Sequence, residues 1–208
     1  GFDSSTAKAG DEIPKDPIIF TKVPESVIAH GEAIVIPKGV SEAIDYEAEL
    51  TIIIGKGGKG ISEADAMQHV WGYTIVNDVT ARDRQVRRTP EGMTWYELGS
   101  GKAFDSSAPI GPCIVTADEI GDPQALKLQS RVNGELRQSS STSNMIWTCA
   151  QLIHFFSRNF TLKPGMVIIT GTPAGTAAKA ARSAGAASAS RRSVSSEWVA
   201  MFITYPYA

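Results

Sequence analysis

The chain has 208 residues with 20 basic and 22 acidic side chains, a formal charge of −2 that gives no global basic field for nucleic acid. Apolar residues make up 42%, and no apolar run approaches the roughly 20 residues of a membrane helix, so a globular protein of one main domain, with no membrane or nucleic-acid partner, is expected. Cys113 and Cys149 form no motif with each other, which removes a disulfide framework or zinc knuckle; together with a polar start that lacks a signal peptide's apolar centre, this points to the cytoplasm.

In chain order, residues 1–16 read as a polar N-terminal arm. Short apolar runs punctuated by glycine and proline follow. Pro17 to Val23, Ala33 to Ile36 and Glu47 to Ile54 read as strands, the last ending in Thr51-Ile52-Ile53-Ile54. Ser62-Glu63-Ala64-Asp65 predicts a capped short helix ending near Val70, and Gly72 to Val79 reads as a strand. Asn133-Gly134 lies between the runs Leu126 to Val132 and Glu135 to Gln138, the strongest short-range hairpin signal, because it supplies two positive-φ residues.

The one long helical pattern covers Asn144 to Phe156, with Met145, Ile146, Cys149, Leu152, Ile153 and Phe156 at three- and four-residue spacing. Lys163-Pro164-Gly165 is a turn that feeds the strand Met166 to Thr170. Many strands and few helices make the fold class α+β and β-rich, with residues 17–175 as the catalytic domain. Residues 176–196 hold eight alanines, six serines and four basic residues without apolar periodicity. Residues 176–208 therefore read as an Ala/Ser/Arg-rich tail, with room for one final strand at Trp198 to Ile203.

Two motifs compete for the function. Gly55-Lys56-Gly57-Gly58-Lys59-Gly60 matches G-x-G-x-x-G between a strand and a helix, with Asp78 downstream as a ribose-binding acid. The helix after it is too short for a crossover, which takes at least about 10–12 residues, and its cap at Ser62 stands beyond the last glycine. A glycine-lysine turn is the better reading.

The other motif is carboxylate geometry. Glu47 and Glu49 share one face of a strand by its period of two, and Asp78 ends the next strand. Three hard oxygen ligands suit Mg²⁺, with Mn²⁺ or Ca²⁺ as alternatives, whereas histidines scattered at 30, 69 and 154 do not suggest zinc. Spacing alone leaves solvated carboxylates as the competing explanation.

The runs Asp45-Tyr46-Glu47-Ala48-Glu49-Leu50 and Gly72-Tyr73-Thr74-Ile75-Val76-Asn77-Asp78-Val79-Thr80-Ala81-Arg82-Asp83 break that tie. With Gly101-Lys102-Ala103-Phe104-Asp105, Val132-Asn133-Gly134-Glu135-Leu136 and Thr170-Gly171-Thr172-Pro173-Ala174-Gly175, they resemble the fumarylacetoacetate hydrolase family, in its order and at about its spacings. The resemblance implies a rolled mixed β-structure and a homodimer. It makes Glu47, Glu49 and Asp78 the metal ligands and places catalytic Lys102 by the metal and substrate. Arg82, Gln85, Gly171 and Thr172 would bind the substrate, a small oxo-acid.

Activities implied by the family are hydrolysis of the C–C bond of an acylpyruvate-like dicarbonyl acid, oxaloacetate-type decarboxylation, and keto–enol isomerisation. The chemistry fits, since a Lewis acid stabilises an enolate and a preorganised lysine adds positive charge where negative charge develops. Outside the resemblance, Lys102 would be a loop lysine, Thr172 a turn residue, and Arg82-Asp83-Arg84 a mutually paired surface cluster. The family's lid segment Asn-Tyr-x-x-His, with its nearby glutamate, is missing: Phe2 to Gly10 carries no histidine, and His30 and Glu32 come too late to supply it. Its closing strands are not recognisable after Gly175. A member that binds metal or ligand without turnover is therefore a further reading.

Overall fold

A computed structural model of the chain describes residues 15–36, 39 and 41–177, and the backbone of 199–204. The strands in chain order are β1 (Val27–Ala29), β2 (Ile44–Asp45), β3 (Ala48–Ile54), β4 (Val70–Asn77), β5 (Thr80–Ala81), β6 (Val86–Arg88), β7 (Thr94–Tyr96), β8 (Ala108–Ile110), β9 (Val115–Thr116), β10 (Lys127–Val132), β11 (Glu135–Ser141), β12 (Val167–Ile169) and β13 (Val199–Thr204). Helices α1 (Arg82–Gln85), α2 (Leu98–Lys102) and α3 (Ala117–Ile120) are single turns, and α4 (Cys149–Asn159) is the one long helix. The class is β-rich α+β.

The main sheet runs β1-β8-β4-β3-β12, with β9 on a further stretch of β4. Parallel pairing joins β1 to β8, and the other ladders are antiparallel. A second sheet has the order β11-β10-β13, and β2-β5 and β6-β7 form small ribbons. Every residue of β3 is buried. Its period-two pattern sends Leu50, Ile52 and Ile54 into the core with Tyr73, Cys149, Ile153, Leu162 and Ile168, and leaves Glu49 and Thr51 on the other face. Covering both faces is what allows a strand this apolar to carry buried carboxylates at one end.

Local chemistry explains where elements begin. Thr148 caps α4 with a reciprocal box: its Oγ1 accepts from Gln151 N at 3.2 Å, and Gln151 Oε1 accepts from Thr148 N at 2.9 Å. The helix therefore starts at Cys149, not Asn144, and Met145 packs on the core from extended backbone. Asn133 and Gly134 have φ of 52° and 78° and close the β10–β11 hairpin.

Three expected elements differ. Among the described residues, Pro17 to Val23 and Ala33 to Ile36 belong to no strand, and Ile18 and Val35 are 62% and 61% exposed. Val35 N bonds to Ser106 Oγ at 2.7 Å rather than to a ladder, so apolar β-branched composition alone supplied no partner. The helix expected from Ser62 shrinks to a 3₁₀ turn at Ala66–His69, although Ser62 Oγ does accept from Asp65 N at 3.1 Å. Strand β13 runs antiparallel to β10 in the stretch where the sequence leaves room for a late strand. The lid stretch Phe2 to Gly10 and most of the 176–196 run lie outside the described residues.

Candidate metal centre

The register of β3 and β4 builds the cage. Ala48 pairs with Asn77, and Asp78 N donates to Glu47 O at 2.8 Å, so the residue that ends β4 sits beside the start of β3. One carboxylate oxygen from each of Glu47, Glu49 and Asp78 lies within 4.8 Å of the others. Exposures of 3%, 2% and 0% rule out solvated surface acids.

Cations ring this cage. Gly101 lets α2 close on α1: a Cβ there would stand 2.9 Å from the Gln85 backbone. The approach carries Lys102 inward, where its Nζ donates to Glu47 Oε2 at 2.6 Å and Asp78 Oδ2 at 2.5 Å. Lys102 is buried rather than a loop lysine on the surface. Lys22 Nζ donates to Asp78 Oδ1 at 2.8 Å and to the Lys102 carbonyl, and the Phe20 ring centroid lies 4.9 Å from Lys102 Nζ.

Arg82 opens α1 and turns inward. Its Nε and Nη2 donate to Asp45 Oδ2 at 2.8 and 2.7 Å, Nη2 reaches Glu47 Oε1 at 2.6 Å, and Nη1 donates to Gln85 Oε1 at 3.0 Å. Asp83 turns outward to Ser41 and to Glu42 N, so Arg82 and Asp83 serve different partners. After β12 the chain passes over β3: Gly171 N donates to Glu49 Oε2 at 2.5 Å, and Thr172 Oγ1 donates to Ala48 O at 2.8 Å.

Four buried carboxylates, Asp45, Glu47, Glu49 and Asp78, thus face three cationic side chains. Burial opposes ionisation of Glu47, but Lys102 and Arg82 overcome it and hold that carboxyl below its ordinary range. Glu49 has no ion pair among the described residues. Burial first, and then the Asp78 and Glu47 charges, push it up to about 8. Lys102 is held above its ordinary value by the same carboxylates despite burial, whereas burial lowers Lys22. A buried cage of hard oxygens that is one positive charge short fits a divalent ion.

Other candidates resolve differently. In the glycine-rich turn, Gly55 N and Lys56 N donate to His69 O, Gly58 N to Leu162 O and Gly60 N to Ser157 O, so those amides are spent within the fold. Asp78 belongs to the cage. His69 Nδ1 lies 2.7 Å from Lys56 O, His154 Nδ1 lies 2.6 Å from Ile61 O, and His30 is exposed after β1. None of the three stands at the carboxylates. Sequence reasoning missed Lys22 and Asp45; a lysine amid Ile18-Ile19-Phe20 and Val23 was the available signal, since a charge in an apolar run asks for a partner.

The family model for the C-terminal region of fumarylacetoacetate (FAA) hydrolase matches residues 3–195. The chain belongs to the fumarylacetoacetate hydrolase family. Among curated relatives, it is 46% identical over 164 residues to oxaloacetate tautomerase YisK of Bacillus subtilis, covering 79% of this chain and 52% of that protein. It is 47% identical over 163 residues to a mitochondrial oxaloacetate tautomerase of Xenopus laevis, covering 78% and 49%.

The chain therefore spans about half the length of the curated relatives it matches. Among solved structures, a fumarylacetoacetate hydrolase of Exiguobacterium antarcticum is 42% identical, with a TM-score of 0.68, over 76% of this chain and 55% of that one. A fumarylpyruvate hydrolase of Pseudomonas aeruginosa, in complex with Mn²⁺ and pyruvate, is 38% identical with a TM-score of 0.68, over 78% and 70%. The family fold is thus shared. Among the described residues no helix is long and apolar enough to cross a membrane.

Proposed function

We propose that this family member is a divalent-metal-dependent enzyme that interconverts the keto and enol forms of a small oxaloacetate-like 2-oxo diacid. One observation carries the reading: Glu47, Glu49 and Asp78 converge in a buried cage ringed by Lys22, Lys102 and Arg82. These carboxylates would hold Mg²⁺ or Mn²⁺, which supplies a Lewis acid for the enolate oxygen of a chelating oxo-acid.

The surrounding residues do the rest. Two short bonds fix Lys102 Nζ, and carboxylates keep it charged, so it is preorganised to face negative charge growing on the substrate. Tautomerisation moves one proton, and Lys22 Nζ is the amine of the ring whose charge burial disfavours. Arg82, steadied by Asp45 and Gln85, would meet one carboxylate of the diacid. Gly171 and Thr172 would take the other, exchanging their present bonds to Glu49 and Ala48 for bonds to substrate.

The tautomerase names of the curated relatives support this reading, and so does the chemistry, since tautomerisation needs no base to activate water. Hydrolysis of an acylpyruvate C–C bond is the second reading, supported by the likeness to the Mn²⁺ and pyruvate complex of a fumarylpyruvate hydrolase. The test is to follow enol oxaloacetate, oxaloacetate decarboxylation and acylpyruvate cleavage in parallel, with chelator and with added Mn²⁺ or Mg²⁺. Enol loss that chelator abolishes and metal restores is the expected result. Metal-dependent cleavage of acylpyruvate alone would install the second reading, and metal binding without turnover on any substrate would leave a non-catalytic member.

A further inference from the structure

Gln138 lies on β11 and is fully buried, at 0% exposure, although it belongs to a hairpin whose neighbouring side chains are exposed. The β10–β11 ladder skips one residue beside it: Ser130 faces Gln138, but Arg131 faces Leu136, leaving Arg137 bulged. Such bulges re-aim side chains. The re-aimed amide makes four hydrogen bonds to three other segments. Its Oε1 accepts from Ala48 N at 3.1 Å and Ser130 Oγ at 2.9 Å, and its Nε2 donates to Thr172 Oγ1 at 2.8 Å and Pro173 O at 2.9 Å. Because Ala48 N can only donate and Pro173 O can only accept, just one orientation of the amide satisfies both. All four of its hydrogen-bonding positions are filled.

We infer that Gln138 is a positioning residue that clamps the substrate-binding loop 171–175 to the strand carrying the metal ligands. Ala48, which it holds, stands between Glu47 and Glu49. Thr172, which it also holds, passes the bond on to Ala48 O, so a closed ring of hydrogen bonds joins loop and strand. The rest of the loop is fitted to the same place: Tyr46 Oη donates to Gly175 O at 2.8 Å, and a Cβ on Gly175 would stand 2.1 Å from Arg137 O. Without the clamp the loop no longer holds Gly171 and Thr172 where they would meet an oxo-acid carboxylate. Gln138 touches neither the cage nor the substrate and acts through Ala48 and Thr172.

Two variants separate the clamp from general folding. Gln138→Leu removes all four bonds. Gln138→Glu keeps the shape and both acceptors toward Ala48 and Ser130, but even when protonated leaves at most one donor for Thr172 and Pro173 together. Gln129→Leu, on the outer side of the same hairpin, is the control.

In the unliganded protein, hydrogen exchange in peptides covering 171–176 should quicken about tenfold in both clamp variants and not in the control, while the β4 peptide 70–77 stays protected. On Mn²⁺-loaded protein, KM for oxaloacetate should rise about tenfold or more with kcat within about threefold, and Thr172→Val should add little further in the Gln138→Glu background. Unchanged exchange in the loop of folded Gln138→Glu overturns the inference, and so does looser exchange with an unchanged KM. The kinetic arm rests on the oxo-acid reading. Wild-type protein without metal-dependent turnover would remove that reading alone, and the exchange result would still decide the clamp.

Discussion

The two ends of β3 make an instructive pair. Its C-terminal end runs into Gly55–Gly60, which carries a named phosphate-binding pattern, and its N-terminal end carries Glu47 and Glu49, which match no short fingerprint. At the glycine end, four backbone amides donate to carbonyls of neighbouring segments, and the books close within the protein. At the acidic end, four buried carboxylates meet three cations, and Glu49 is left against a single backbone amide. A site is recognised by what the fold leaves unsatisfied, not by the pattern that is easiest to read.

The sharpest way to break this contrast is Glu49→Gln. It keeps shape, removes one ligand and should lower metal-dependent kcat/KM by more than about a hundredfold, while the metal-free protein near pH 7 keeps its melting temperature because the amide replaces a carboxyl that burial already holds neutral there. Activity assays and calorimetry on the same preparation check both halves. Lys102→Met comes next. It should lower kcat by about 10²–10³ without weakening Mn²⁺ binding, and destabilise the metal-free protein measurably in denaturant titration, because Glu47 and Asp78 each lose one of two cationic partners and keep only Arg82 and Lys22.

A pH series sharpens the account further. Without metal, Glu49 is pushed up to about 8 from an ordinary 4.5. The folded chain keeps a proton that the unfolded chain gives up, so this group makes metal-free stability fall as pH climbs from about 4.5 to 8. Metal entry expels the proton. Affinity should therefore rise about tenfold per pH unit up to about 8 and then level, and calorimetry in buffers of different ionisation enthalpy should register about one proton released at pH 7. The smallest effect belongs to the glycine end. Lys56→Ala with Lys59→Ala should leave activity within about twofold and stability within about 0.5 kcal/mol, with no saturable tryptophan response to a nucleotide.

How much of this was legible depended on what kind of interaction fixed each feature. The Asn133-Gly134 hairpin, the β3 strand and the Glu47–Glu49 face follow from backbone sterics and a period of two, which act locally and show in sequence. Pro17 to Val23 looked like a strand for the same local reasons, but a strand needs a partner, and the fold uses that stretch to bring Lys22 to Asp78 instead. The start of α4 was set by the Thr148–Gln151 box rather than by the apolar stripe that begins at Met145. Lys102, Arg82 and Thr172 entered through family likeness; nothing in their own neighbourhoods separated them from surface residues. Gln138 was silent, because a buried amide with three of its four partners drawn from distant segments leaves no periodic trace.

Mn²⁺ titration of chelator-stripped protein, read by calorimetry on wild type and on Glu47→Gln with Glu49→Gln, bears most directly on the cage. One ion per chain in the wild type and none in the double variant is the predicted result. Equal binding by both proteins, or none by either, would contradict a metal centre at Glu47, Glu49 and Asp78.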